Sequence, residues 1–369
     1  MTSNDWPKAT DAELKRELLQ YLEALRGRQE CYSVRFVTGR LKAAHFPTAA
    51  GWAPLLEKYK AAAFSRDRML ECLTTIEEIY ADALTFADRA VFVYPLGKGE
   101  VKRAVAAIDG LVDRNSEFAQ RFPFPMTEAR LRRGPFNGVF CRKVEHDDGS
   151  VRLFACCKRA YRTRETIDTT ALDEDVRMVL ESYDEVFGIK SGFVQGFDSI
   201  VFRPKNDTVE IQIDIACRLT KEDFFAARDF YANRINSFLE PTLAIDQWLL
   251  TSRNFFPLIS KLYSELDGIV NHLGHSTTTN SVKEERMRGR QRDLRTEDFH
   301  EKGMEAIHGL TDEYSIRKSW FSKDGSRYPT VIIPGSYKLA GSADARIGYA
   351  IIEGCSNGDD FAMVLSKLA

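Results

Sequence analysis

Long apolar runs are missing from this chain. No stretch of about eighteen consecutive apolar residues occurs, so no membrane-spanning helix and no membrane partner are expected. Cysteine is scarce: Cys31, Cys72, Cys141, Cys156, Cys157, Cys217 and Cys355 show no repeated spacing and no Cys-x-x-Cys pair. An odd, unpatterned set reads as reduced thiols, which excludes a disulfide scaffold and makes a cytoplasmic location the expectation. The opening MTSNDWPKATDAELKRE lacks an apolar segment behind a basic one, so secretion is not expected. An excess of either charge is lacking too, with Lys+Arg at 52 and Asp+Glu at 54 for a net −2. Any preference for a polyanion must therefore come from local patches.

Several motifs of catalysis and cofactor binding are also absent. There is no Gly-x-Ser-x-Gly and no His-Glu-x-x-His. Gly97-Lys98-Gly99 stands between a strand and a helix, but without the third glycine of a dinucleotide fingerprint or the Gly-Lys-Ser/Thr ending of a phosphate loop. It is expected to be a tight turn. His272-x-x-His275 offers two nitrogens, but no cysteine pair completes a structural zinc set, and His300 and His308 share no ligand spacing. No metal site and no cofactor are expected from these patterns.

What is present points to a folded protein. Apolar residues make up 44% and charged residues 29% of 369, enough for one large domain or two to three smaller ones. Thr10 with Glu13 forms a capping box ahead of Leu14, Leu18, Leu22 and Leu25 at helical spacing. A second helix starts near Ser65, with Met69, Cys72, Ile76, Ile79, Ala83 and Ala87 on one face; residues 90–96 (AVFVYPL) then read as a buried strand. A helix after Gly99 carries Val101, Val105, Ile108 and Val112.

Two similar units follow a Pro- and Gly-broken stretch around 121–138. Each is a hairpin and a helix: Val139–Val144, Val151–Ala160 and a helix from 173 to 187, then Phe197–Arg203, Thr208–Cys217 and a helix from 221 to 239. The run 209–217 alternates most cleanly, with Val209, Ile211, Ile213 and Ile215 against Glu210, Gln212 and Asp214. Residues 240–272 read as helical, HLGHSTTTNS as a polar loop and 281–302 as a charged stretch. Strands at 314–321, 328–333 and 347–352, with a turn at Lys323-Asp324-Gly325, lead to a helix at 359–368. The fold expected is α+β: a mainly helical segment 1–128, a central antiparallel sheet from two ββα units at 129–240, and a helical-to-β segment 241–369.

Basic residues are unevenly spread. Arg130, Arg132, Arg133, Arg142, Lys143, Arg152, Lys158, Arg159, Arg162 and Arg164 face only Glu145, Asp147 and Asp148, ten against three, for +7. Phe136, Phe140, Phe154 and Tyr161 interleave them. A second run, Arg286, Arg288, Arg290, Arg292 and Arg295, is opposed within it only by Asp293. Guanidinium forks match phosphate, and aromatic rings offer stacking surfaces to unpaired bases. Mixed-charge stretches are otherwise solvated faces. The leading expectation is a non-enzymatic subunit that engages DNA or RNA, or takes part in an assembly, through both arginine clusters. The alternative is a nuclease dependent on Mg²⁺ or Mn²⁺, built from Asp198, Glu210 and Gln212 with Lys221 nearby. It departs from the restriction-nuclease pattern, because Gln212 stands where a lysine is required. A third reading is a subunit whose arginines meet acidic protein partners.

Overall fold

The computed structural model describes residues 3–134, 138–215, 219–279, 281–323, 325 and 327–369. Phe136, Cys217 and Asp324 lie outside the described residues. The chain runs α1 (Asp11–Arg26), α2 (Val34–Ala43), α3 (Trp52–Ala61), α4 (Arg66–Phe86), β1 (Arg89–Pro95), α5 (Glu100–Ala107), α6 (Glu117–Arg121) and α7 (Glu128–Arg132). Then come β2 (Val139–Glu145), β3 (Val151–Thr166), α8 (Glu174–Leu180), β4 (Phe187–Arg203), β5 (Thr208–Asp214) and α9 (Lys221–Leu243). The last third holds α10 (Leu258–Ser264), β6 (Ile269–Thr277), β7 (Val282–Arg286), α11 (Asp298–Ala306), β8 (Thr311–Ser319), β9 (Thr330–Ile333), β10 (Ala350–Glu353) and α12 (Gly358–Ser366).

The fold is α+β, around one antiparallel sheet of ten strands in the order β2-β3-β4-β5-β1-β10-β9-β8-β6-β7. All three expected segments supply strands to it. β1 joins the two halves of the sheet, pairing with β5 from Arg89↔Asp214 to Pro95↔Thr208 and with β10 from Arg89↔Ile352 to Val91↔Ala350.

Alternation along the strands assigns each face its cover. On the front face, α1–α4 and α7 bury Leu22, Ile76 and Leu131 with Cys141, Phe154, Cys156 and Phe197 of β2–β4. α10 and α12 extend that layer over Val91, Val270, Ile316 and Ile352. On the back face, α5 and α9 pack Val101, Ile235 and Leu239 on Phe92, Leu153, Ile200 and Ile211.

The local signals hold where a strong period meets a cap. Thr10 and Glu13 form the full capping box of α1, and the Ser65 side chain caps α4. Gly97 and Gly99 do form a tight turn into α5: their amides are taken by the Glu100 and Asp207 carboxylates, at 3.0 and 2.8 Å. The two hairpins at 139–214 share one antiparallel sheet, but the first unit departs from the ββα pattern. β3 and β4 remain paired from Val151↔Phe202 out to Thr166↔Phe187, forming a projecting arm. The helix expected at 173–187 shortens to α8, near the arm's tip and with no buried residue. Its Val176, Met178 and Val179 meet no sheet face and remain exposed, so nothing holds a longer helix there. The first part of the polar loop expected at HLGHSTTTNS, through Thr277, belongs to strand β6, and the charged stretch after it opens with strand β7 and ends in α11.

Phe92 has no exposed surface, stacks on Phe224 and meets the Tyr349 ring at a tilt. Phe92→Ala is expected to cost about 3–5 kcal/mol in urea denaturation. Val179→Ala on α8 should stay within about 0.5 kcal/mol, and equal costs for the two would contradict this packing.

Candidate functional site

The first arginine cluster is split by the sheet into structural and free members. Arg159 is buried and gives both contacts from one nitrogen to the Asp198 carboxylate, at 2.5 and 2.6 Å. Arg152 is buried on the other face, donating to Ser199 Oγ and Gln212 Oε1 at 2.6 and 2.9 Å. Arg130 pairs with Glu117, Arg132 with Glu128, and Lys143 with both Asp109 and Glu145. Arg133, Arg142, Arg162 and Arg164 are exposed, without a carboxylate partner among the described residues. Arg159 is thus removed from the expected phosphate-binding set, because its charge is already spent inside the fold.

Strand parity gathers part of what remains on one surface. On the front face of the arm, Lys158, Arg162 and Arg164 stand opposite Gln195, Ser191 and Ile189, while Ala160 and Thr166 oppose Phe193 and Phe187. Arg164 lies 3.5 Å over the Phe187 ring, and Lys158 and Arg132 lie 4.7 and 5.5 Å from the Phe193 centroid. Arg132, at the end of α7, also donates to the Ser191 carbonyl at 3.0 Å, which fixes α7 beside this surface.

The second cluster is elsewhere. β7 is the opposite edge of the sheet from β2, eight strand steps from β3, or on the order of 40 Å along the sheet. Arg286, Arg288, Arg290 and Arg292 are exposed there, also without a carboxylate partner among the described residues. Arg295 is not available: it pairs with Asp293 and donates to the carbonyls of Glu265 and Gly268. The two clusters do not merge into one stripe.

The acidic constellation does not converge either. Ser199 opposes Gln212 across β4 and β5, so Asp198 points to the back face and Glu210 and Gln212 to the front. Asp198 accepts from Arg159 and from Tyr231 Oη at 2.8 Å, and has no exposed surface. Glu210 is paired with Arg203 and takes a 2.6 Å bond from Gln212 Nε2. Lys221 lies at the first turn of α9. Carboxylates divided between faces and paired with arginine do not converge on one cation position, so the residues named for a nuclease are not brought together.

Asp214 completes this buried network, clamped by both Arg28 nitrogens at 2.9 and 3.0 Å. Burial works to raise its carboxyl, but Arg28, Arg89 and Arg159 outweigh burial and hold it well below the usual range. At the neighbouring Asp88 burial prevails, with Glu353 adding to it against the Gly354 amide, Arg290 and Arg317, and the carboxyl is pushed up to about 7.

A different cluster, missed at the level of sequence, lies under α10 and α11 at the β7 end. Residues three apart on a strand face opposite ways, so the unbroken β6–β7 register puts His275 on the front face, with Leu273 and Glu285, and His272 on the back. His272 pairs with Glu284 on the back, while His275 Nε2 lies 3.4 Å from Glu285 Oε1. His300 of α11 arrives from the other side, with Nδ1 on Glu285 Oε2 and Nε2 2.8 Å from Tyr263 Oη. His275 and His300 are 2% and 3% exposed. The ligand atoms of His275, Glu285 and His300 all lie within 4.8 Å of one another, the one such group among the described residues. The His272-x-x-His275 spacing was the wrong pair to test. The available signal was a Thr/Asn/Ser turn between two short runs, the mark of a hairpin.

Two outcomes follow from the buried charges. Asp198→Ala removes the buried carboxylate that pairs with Arg159 and accepts from Tyr231, and is expected to cost about 3–5 kcal/mol in denaturant unfolding; a neutral result would contradict the pairing. For Asp88, the folded carboxyl holds its proton more tightly than the unfolded one, whose value is near ~3.9. Its contribution is therefore full below about pH 4 and is lost as pH rises through about 7. Asp88→Asn keeps an oxygen for the Gly354 amide, now 2.9 Å away, and should gain on the wild type between pH 4 and 8. A pH-independent difference in urea midpoint would refute that. No family model matches this chain and no curated protein is significantly similar to it, so the functional reading rests on geometry.

Proposed function

We propose that the protein is a nucleic-acid-binding subunit that holds a single strand on the front face of the β3–β4 arm. One observation carries this reading: strand pairing sets the exposed Arg162 and Arg164 beside the exposed Phe187 and Ile189 on one face, with the half-buried Lys158 and Phe193 toward its base. Arg133, at the end of α7, adds a further exposed cation at the arm's base. Arginines supply phosphate contacts that release counterions, and rings and guanidinium planes accept bases by stacking. Arg162 and Arg164 stand about 7 Å apart along the strand, so both engage one extended backbone. The carboxylates nearest in sequence do not neutralise them: Glu165 is on the other side of the strand, 3.9 Å from Lys190.

A second reading, an assembly subunit, draws on a different observation. Met178, Val179 and Tyr183 at the arm's tip are 62%, 74% and 64% exposed, more apolar surface than one segment ordinarily leaves in water.

Anisotropy of a labelled single-stranded oligonucleotide, measured against salt, tests the first reading. Binding should weaken with a steep log–log slope, and Arg162→Glu with Arg164→Glu should lower affinity by about tenfold or more and flatten that slope. Arg286→Glu with Arg288→Glu, at the far edge, should change it less than about twofold. Absence of binding at low salt, or an arm reversal without effect, refutes the proposal; retained self-association or partner capture by the same reversal favours the second reading.

A further inference from the structure

We infer that His275, Glu285 and His300 form a binding site for one divalent transition-metal ion, with zinc the best match, independently of any nucleic-acid binding. Two imidazoles and one carboxylate are the donor set of open zinc and non-haem iron sites. The hard, all-oxygen preferences of Mg²⁺ and Ca²⁺ do not suit it.

Geometry supports this in three ways. The 3.4 Å between His275 Nε2 and Glu285 Oε1 is about the edge of a tetrahedron with bonds near 2.1 Å, so one ion fits between them without moving either. The three ligand atoms lie within 4.8 Å of each other, so closing the third bond needs only a small side-chain rotation. The donors also sit on separate supports, β6, β7 and α11, held by the β6–β7 ladder and by the Glu297 side chain, which caps α11 at the His300 amide, 2.8 Å away.

The surroundings supply what a metal site needs beyond its ligands. Tyr263 Oη, 2.8 Å from His300 Nε2, orients that ring so that Nδ1 faces inward, the outer contact that metal-bound histidines ordinarily have. A cavity of about 330 Å³ opens beside the cluster, bordered by Thr277, Thr279, Ser281 and Lys283. A fourth position on the ion would face that cavity, and one carboxylate against a divalent charge leaves the centre cationic. Water, hydroxide or a small oxyanion is the fitting fourth ligand, with Lys283 on the same wall.

The test uses the full chain, stripped with chelator and titrated with Zn²⁺ alone by calorimetry and with Co²⁺ by visible absorption. Expected are one ion per chain, cobalt bands of a low-coordinate nitrogen/oxygen site, and loss of affinity by more than about 100-fold in His275→Ala and His300→Ala. Tyr263→Phe, a change at a positioning residue, should weaken binding by about tenfold to 100-fold, and His308→Ala, on the surface, should leave it unchanged. Where an alanine variant fails to fold, X-ray absorption of zinc-loaded wild type decides instead. Two imidazole shells and a light oxygen shell support the site. Sulfur scattering, substoichiometric uptake, or wild-type affinity in a folded His275→Ala overturns it.

Discussion

Burial of charge where β4 and β5 separate is the constraint on which the rest of the fold depends. The β4–β5 ladder ends at Ser199↔Gln212, and beyond it two aspartates take over the backbone bonds. Asp198 accepts from the Asp214 amide at 2.8 Å, and Asp214 accepts from the Phe197 amide at 3.0 Å. Each carboxylate is out of water and so demands a cation. Arg28, just beyond α1, meets Asp214 and keys the helical layer to the front of the sheet. Arg159 of β3 and Tyr231 of α9 meet Asp198 and key the rear layer to the same point. Arg89 adds bonds to the Thr85 and Phe197 carbonyls, at 2.9 and 3.0 Å, tying the end of α4 to β4. Breaking one such pair is costly, while apolar replacements of the whole set are often tolerated. The network's effect is therefore to select one arrangement of layers over others.

That selection also sorts the arginines. A chain of net −2 has few cations to spare, and those nearest the sheet centre are consumed by its own carboxylates. Within the two arginine clusters, those without a carboxylate partner among the described residues lie toward the periphery: on and beside the arm at one edge, and around β7 at the other. The arm surface and the His275–Glu285–His300 cluster therefore share no residue and lie toward opposite ends of the sheet.

The elements that could be read directly were those whose burial is one-sided and whose ends carry a local signal. α1, α4 and β5 are of this kind: an apolar stripe or alternation is visible in the residues, and Thr10 or Ser65 marks a start. The β6–β7 hairpin was not legible because its inward residues are polar. His275 and Glu285 occupy positions where an apolar residue would have announced a strand. The full length of the arm was equally hidden, since β3 and β4 beyond Ala160 have no core to face, and only their mutual pairing keeps them extended. Within the candidate surfaces, the arginines were visible as residues, but their availability was not. Arg159 and Arg164 look alike in the sequence, yet one is sealed against Asp198 and the other lies open over Phe187.

The order of amino acids alone thus determined the α+β class, the strongest helices and their caps, the alternating face of β5, and the local surplus of positive charge. Those properties depend on neighbours within a few residues, where period and side-chain chemistry suffice. Tertiary structure alone decided which charges are spent, on which side of the sheet Asp198 and Glu210 fall, and that His275, Glu285 and His300 meet. Such outcomes depend on strand order and register, and a one-residue change of register reverses the face a side chain occupies.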